Sequence, residues 1–142
     1  GGVHMSKTEA TVQKYMTYQP HFIEAGELLS EAIKIMKDNN IRHLPVMEDG
    51  KIFGILSDRD AKMATSLVGT DPEKMFVREV CHTSPYQTSP ETQLHEVADE
   101  MAESHYGCAI VVQNHKLVGI FTTVDACRAL SEVLQQRFHT KQ

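Results

Sequence analysis

The sequence predicts a mixed α/β (α+β) fold made of two tandem copies of one β-α-β-β-α unit. The main observation is a gapless internal repeat, in which residues 12–67 match residues 77–132 at a constant offset of 65 positions. Each copy shows the same succession of patterns: an amphipathic helix, two short apolar strands around a polar turn, and a closing helix. The 142 residues and their 41% apolar content suit one domain or two interdependent halves, which excludes a large multi-domain enzyme.

The first helix of each copy is predicted from apolar residues at helical spacing. These are Leu29, Ala32, Ile33 and Met36 in the first copy and Leu94, Val97, Ala98 and Met101 in the second. Ser89 and Pro90 are expected to supply the N-cap and the first-turn proline of the second-copy helix. The closing helices are predicted to run from Asp58 or Asp60 to about Leu67 and from about Asp125 to Phe138.

A β-hairpin is predicted before the closing helix of each copy, because two apolar runs flank a polar turn. The strands are expected at 43–47 and 52–56 in the first copy and at 108–112 and 117–121 in the second. The second turn has weaker turn chemistry, since His115 takes the place of Gly50. So short a unit leaves an apolar sheet face exposed. We therefore expect the copies to pack with pseudo-twofold symmetry and to form equivalent ligand clefts between them.

The segment 69–72 is the expected break between the copies, because Gly ends a helix and Pro cannot continue one. The predicted division is a tag remnant at 1–5, a first unit at 6–68, a linker at 69–76, a second unit at 77–138 and a tail at 139–142.

Charge and composition argue against several classes of protein. A formal net charge of −5 without a run of Lys or Arg argues against nucleic-acid and membrane-surface binding. No apolar stretch approaches the ~20 residues of a membrane span, and the N-terminus lacks the features of a signal peptide. The three cysteines are odd in number and confined to the second half, which favours free thiols in a reducing compartment. We therefore expect a soluble, cytoplasmic protein.

The strongest chemical pattern ends each hairpin, at residues 54–60 and 119–125: a glycine, two apolar residues, a hydroxyl residue, two variable residues and an aspartate. A hydroxyl beside the free N–H groups of a helix start suits phosphate, and an aspartate there can accept two hydrogen bonds from ribose hydroxyls. The alternative is helix capping without a ligand. The hydroxyl and carboxylate residues concerned are Ser57, Asp60, Thr122 and Asp125.

These motifs make the chain resemble the CBS domain family, named for cystathionine β-synthase, in its usual tandem arrangement. The similarity runs from about Val12 to Val133, and its specific elements are residues 12–17, the helix with Ala32 and Met36, residues 40–46 and residues 54–60, with looser second-copy versions. The resemblance implies a pair of units that binds AMP, ADP, ATP or a related adenosyl ligand between them. It implies that the hydroxyl residues of both motifs contact phosphate and that the aspartates contact ribose.

Further ligand positions follow from the same resemblance. Arg42 and His43 stand where the family often places a basic pair directed at the phosphates, the alternative being an exposed strand end. Gly107 and Cys108 replace them in the second copy, so the two clefts can differ in affinity. Arg59 adds charge or faces solvent. The positions that correspond to the adenine pocket or could flank the base are Thr17, Phe22, Ile41, His82, Gln87 and Tyr106, with core packing as the alternative for Phe22 and Ile41.

Neither catalysis nor a metal site is predicted. No nucleophile elbow, P-loop or zinc-protease motif is present, so no residue is assigned as catalytic. The pairs Cys81-His82 and His105-x-x-Cys108 have weak spacing for zinc. No cofactor is therefore expected to be required, and the nucleotide is expected to act as a regulatory ligand.

The predicted function is a non-catalytic sensor that signals in trans, through the geometry of a homodimer or through an unknown effector protein. The alternative is an interaction or dimerisation module with degenerate ligand sites. The amphipathic stretch 129–138 is expected to be a packing or dimer helix in either case.

Overall fold

A computed structural model describes residues 9–139, and within that range the chain forms two β-sheets and six α-helices. The first copy contains α1 (Val12–Tyr15), β1 (Thr17–Tyr18), β2 (Ile23–Glu24), α2 (Leu29–Asp38), β3 (His43–Glu48), β4 (Lys51–Ser57) and α3 (Asp58–Thr65). After a 3₁₀ turn at Pro72–Lys74 the second copy contains α4 (Val77–Val80), β5 (Gln87–Thr88), α5 (Leu94–Ser104), β6 (Cys108–Gln113), β7 (Lys116–Thr122) and α6 (Thr123–His139). The predicted α+β class is confirmed.

Each copy is built around the predicted hairpin. In the first sheet β3 pairs antiparallel with β4 and parallel with β2, and in the second β6 pairs in the same way with β7 and β5. The turn of the first hairpin has positive φ at Asp49 and Gly50, and the second has it at Asn114 and His115. The second turn therefore keeps the left-handed backbone although a histidine, with a φ of 65°, stands in the glycine position.

The two copies exchange their leading segments, which the repeat alone does not predict. Strand β1 leaves the first copy and pairs antiparallel with β7, joining Thr17 to Ile120 in the four-stranded sheet β1-β7-β6-β5. In the other direction, His82 of the second copy forms an isolated bridge with Ile55 of β4. The exchange puts residues of both copies on each side of the space between the sheets.

The hydrophobic core consists of two clusters, and each contains a residue from the leading segment of the other copy. Leu29, Ala32 and Met36 of α2 are buried in the first, as the helical spacing predicts, together with Val77 from the start of the second copy. The second cluster contains Val12 from the start of the first copy, and its other members are Val97, Met101, Ala109, Val111 and Phe121. Each buried aliphatic side chain stabilises the fold by about 1.5–3 kcal/mol, so each copy depends on the other for part of its core.

Several predicted helix ends are wrong. Helix α5 begins at Leu94, with Gln93 rather than Ser89 as its N-cap. Ser89 and Pro90 instead lie in a turn closed by a hydrogen bond from the Thr92 N–H to the Ser89 carbonyl, so the chain is still turning where the helix was expected. Helix α3 ends at Thr65, two residues before the predicted Leu67, and α6 begins at Thr123, before Asp125. Among the described residues no helix is both long and apolar enough to cross a membrane.

Candidate functional site

The first motif lies where β4 passes into α3. Ser57 is the N-cap of α3, and its Oγ accepts a hydrogen bond of 3.0 Å from the backbone N–H of Asp60. Ser57 is therefore a helix cap. Since the hydroxyl accepts this bond, its proton remains available to donate. Asp60 is half-buried, and its carboxylate accepts no hydrogen bond from any other described residue.

A cavity of about 510 Å³ opens between the copies beside this motif; we call it the inter-copy cavity. It brings together six of the residues predicted for the ligand site: His43, Ser57, Arg59, Asp60, His82 and Tyr106. The remaining lining residues are Ile55, Met63, Ser84, Pro85, Tyr86, His105, Gly107 and Cys108. The lining thus comes from both copies.

The backbone of the second copy places His82 in this cavity. The Ile55 N–H donates to the His82 carbonyl and the His82 N–H donates to the Ile55 carbonyl, both at 2.9 Å. Gly54 allows this approach, because a Cβ there would lie only 2.4 Å from the His82 carbonyl oxygen. The glycine of the motif therefore serves the contact between the copies as well as the turn toward the helix.

His43 is held against the other copy by a second close approach. A Cβ at Gly107 would lie 2.5 Å from the Nε2 of His43, so only glycine leaves space for the imidazole in its present position. Burial, and after it the charge of Arg42, lower the pKa of His43, while Asp60 opposes them. From the sequence, Gly107 indicated only that the second copy lacks a basic residue at this position. In the structure, its lack of a side chain makes room for His43.

A pair of tyrosines forms the aromatic part of the cavity. The rings of Tyr86 and Tyr106 stack with their centroids 5.3 Å apart and their planes inclined by 20°. Tyr86 was not predicted from the sequence, and its neighbour Gln87 was chosen instead. Because side chains alternate along an extended segment, Tyr86 and Gln87 point to opposite sides, and this alternation was the signal that could have identified the tyrosine.

The second motif has a different environment. Asp125 is 4% exposed, and its carboxylate accepts hydrogen bonds from the N–H of Thr122 at 3.0 Å and from its hydroxyl at 3.1 Å. The guanidinium of Arg128 donates to Asp125 at 3.2 Å, and the hydroxyl of Thr17 lies 3.4 Å from both carboxylate oxygens. Three residues predicted for the ligand site, Thr17, Thr122 and Asp125, therefore bond to one another.

The other four predicted residues do not line the inter-copy cavity. Phe22 is 49% exposed and lines a separate cavity of about 390 Å³, together with Gln19, Pro20, Met47, Gly50, Lys116 and Leu117. Ile41 packs against the first core cluster, in agreement with the alternative of core packing. Arg42 is exposed, and its carbonyl accepts a hydrogen bond from Asp58. Gln87 is exposed on β5, where it pairs with Ile110.

In the described part of the chain, the cysteines and histidines at 81–82 and 105–108 do not belong to a group that could hold a metal ion. Within residues 9–139 no three His, Cys, Asp or Glu side chains are arranged to hold one. Cys108 is buried at the start of β6, and burial raises the pKa of its thiol to about 12. A thiol in that environment is an inert core group.

Comparisons with known proteins agree with this architecture. The CBS domain model matches residues 12–66 and 77–132. The chain is 29% identical over 140 residues to the CBS domain-containing protein YhcV of Bacillus subtilis (strain 168), and the match covers 92% of this chain and 99% of that protein. The crystal structure of AcuB from Vibrio cholerae superposes with a TM-score of 0.82 at 30% identity, covering 92% of this chain and 96% of that one.

A further solved structure is that of the CBS domain pair of protein MJ0100, in complex with 5′-methylthioadenosine and S-adenosyl-L-methionine. Its TM-score is 0.77 at 23% identity, covering 88% of this chain and 98% of that one, which shows a shared fold. The tandem repeat, the two exchanged β-α-β-β-α units and the match of the family model to both copies lead to one conclusion: the chain belongs to the CBS domain family and contains a tandem CBS pair.

Proposed function

We propose that this CBS pair is a regulatory module that binds an adenosine nucleotide (AMP, ADP or ATP) in the inter-copy cavity. The observation that carries the proposal is the meeting of three kinds of group in that one space. A carboxylate that accepts no hydrogen bond from another described residue, a set of donors suited to phosphate and an aromatic pair all line it. Its volume of about 510 Å³ lies within the range of about 300–1,000 Å³ usual for small-molecule sites.

The phosphate end of the ligand is assigned to the start of α3. The positive dipole end of a helix attracts anions, and Ser57 has a proton to donate there. Arg59 and His43 line the same wall and add donors suited to phosphate oxygens. The carboxylate of Asp58, which would repel an anion, is paired with Lys62 at 2.9 Å.

The nucleoside end is assigned to Asp60 and the tyrosine pair. A carboxylate without a protein donor can accept both hydroxyls of a ribose, and each hydrogen bond to a charged group is worth about 1.5–3 kcal/mol. The rings of Tyr86 and Tyr106 offer an aromatic surface for a purine. The adenosyl compounds bound to the MJ0100 pair support the idea that a pair of this fold accommodates such a ligand.

Signalling is proposed to occur in trans, through a homodimer or an effector protein. Helix α6 presents a row of exposed apolar side chains at helical spacing, Leu130, Leu134 and Phe138, which suits a partner surface. This row also favours the second candidate function, a dimerisation module that works without a ligand. Nucleotide binding decides between the two, because only a regulatory ligand with different affinities for two states can shift their equilibrium.

The test is calorimetric titration of AMP, ADP, ATP and S-adenosyl-L-methionine into the purified chain. We expect micromolar binding of at least one adenosine nucleotide, an affinity loss of about 10–100-fold for Asp60→Ala, and a smaller loss for Tyr106→Ala. Asp99→Ala, an exposed carboxylate on α5, is the matched control and should bind like the wild type. Absence of heat and of any thermal shift with all four compounds would exclude the sensor and leave the ligand-independent module.

A further inference from the structure

The two motif aspartates occupy equivalent positions of the repeat but differ in how their carboxylates are used. Asp60 lines the inter-copy cavity without a hydrogen-bond donor from another described residue. Asp125 is 4% exposed and accepts bonds from Thr122, Arg128 and Thr17. A carboxylate offers about four acceptor positions, so the protein itself satisfies Asp125.

The hydroxyl of the second motif is also occupied. Thr122 Oγ1 accepts the N–H of Asp125 at 3.2 Å and donates its proton to the same carboxylate. Ser57 in the first motif accepts the equivalent N–H but keeps its proton. Both groups that would contact a nucleotide in the second cleft are thus engaged within the protein.

The contrast between the two aspartates follows from three positions at which the copies carry different residues. Arg128 stands at the repeat position of Met63, and Thr17 stands at that of His82. Thr17 belongs to the exchanged strand β1, 108 residues away from Asp125 along the chain, so its bond ties the first copy to the second. Val124 replaces Arg59, which removes a cation from the same surface.

We infer that Thr17, Thr122, Asp125 and Arg128 form an internal polar network that fastens β1 to the start of α6, and that the second cleft consequently binds no nucleotide. The role of the network in holding β1 against α6 is inferred from the hydrogen bonds alone. The stoichiometry, one nucleotide per chain, rests on the proposed function. A ribose at Asp125 would have to displace hydrogen bonds that the carboxylate already accepts from the protein, so its own hydrogen bonds would add little net binding free energy.

The repeat supplies a matched pair of variants for the test, with thermal unfolding as a readout that needs no ligand. Asp125→Ala removes the acceptor of the whole network, so its melting temperature should fall by about 5 °C or more. Asp60→Ala removes a carboxylate that accepts no hydrogen bond from another described residue and should stay within about 2 °C of the wild type. Equal melting temperatures for the two variants would overturn the fastening role.

A milder pair of substitutions covers the case in which Asp125→Ala does not fold. Thr17→Val should lower the melting temperature of the wild type by about 2 °C and by less than that in an Asp125→Asn background, where an amide group replaces one of the two carboxylate oxygens near Thr17. Full additivity of the two changes would contradict the network. Both variants should remain folded, because Thr17 is exposed and Asp125→Asn keeps the side-chain shape.

Calorimetry of the full chain then tests the second cleft. We expect one equivalent of nucleotide per chain, with an affinity about 10–100-fold weaker in Asp60→Ala and unchanged in Thr17→Val. Two equivalents in the wild type, with one lost in Thr17→Val or Asp125→Asn, would overturn the closed second cleft. If no nucleotide binds while the melting temperatures behave as expected, the proposed function fails and the network stands.

Discussion

Replacing Gly54 by alanine perturbs the contact that brings the second copy to the first sheet. The new Cβ would lie 2.4 Å from the backbone oxygen of His82 and 3.2 Å from the Sγ of Cys81. Ordinary contact begins at 3.4 Å, so the segment carrying His82 has to move by about 1 Å. A movement of that size stretches both backbone hydrogen bonds between Ile55 and His82.

The size of the effect follows from these contacts. Overpacking against backbone costs about 1–3 kcal/mol, and weakening two hydrogen bonds adds roughly 1 kcal/mol. The free energy of unfolding should therefore fall by about 2–4 kcal/mol. For a chain of this length about 3–4 °C of melting temperature corresponds to 1 kcal/mol, which gives a decrease of about 6–16 °C.

Thermal unfolding followed by circular dichroism measures this, and the repeat provides the control. At Gly119, the equivalent position, an added Cβ would meet the Sδ of Met16 at 2.5 Å. A thioether on three rotatable bonds can move aside, so Gly119→Ala should cost less than about 1 kcal/mol. If Gly54→Ala melted within about 2 °C of the wild type, or Gly119→Ala melted lower than Gly54→Ala, the reasoning about a fixed His82 segment would be refuted.

Two further predictions concern titratable groups. A thiol reagent should modify exposed Cys127 rapidly in the native chain and reach Cys108 only after unfolding, because burial raises the pKa of Cys108 to about 12; a rapidly labelled Cys108 would contradict this. Burial and then Arg42 lower the pKa of His43, so the neutral ring contributes stability above its unfolded pKa of about 6.5 that is lost as the pH falls through the lowered folded pKa. When the pH is lowered from about 7 to about 5, the melting temperature of His43→Gln should therefore fall by less than that of the wild type. An equal fall in both proteins would contradict this prediction.

The parts of the fold that depend on local patterns were predictable from the sequence. Leu29, Ala32 and Met36 are all buried as their spacing indicates. The predicted strand 43–47 is one residue shorter than β3, and the predicted strand 52–56 is one residue shorter than β4 at each end. The exchange of leading segments was not predictable in the same way. Strand β1 has two residues, too few for a periodic pattern, and its partner lies in the other copy.

The candidate site was likewise predictable from the sequence only in part. Ser57 and Asp60 were identified because their motif recurs at a fixed offset, and the cavity beside them depends on that recurrence. The state of Asp125 could be foreseen only in part: Arg128 lies three residues away on the same helix, a pair that helical spacing could have indicated. Thr17, in contrast, reaches Asp125 only through a contact between the copies. Sequence periodicity carries no information about such a contact between the copies.

The pairing of β1 with β7 also has a consequence for the order in which the chain folds. Thr17 lies 103 residues before its partner Ile120 along the chain. Closing so long a loop is slow compared with forming helices and hairpins. We expect the leading residues of a nascent chain to remain unpaired until β7 has been synthesised. The four-stranded sheet would then be completed in a late folding step, the one that also joins the two halves.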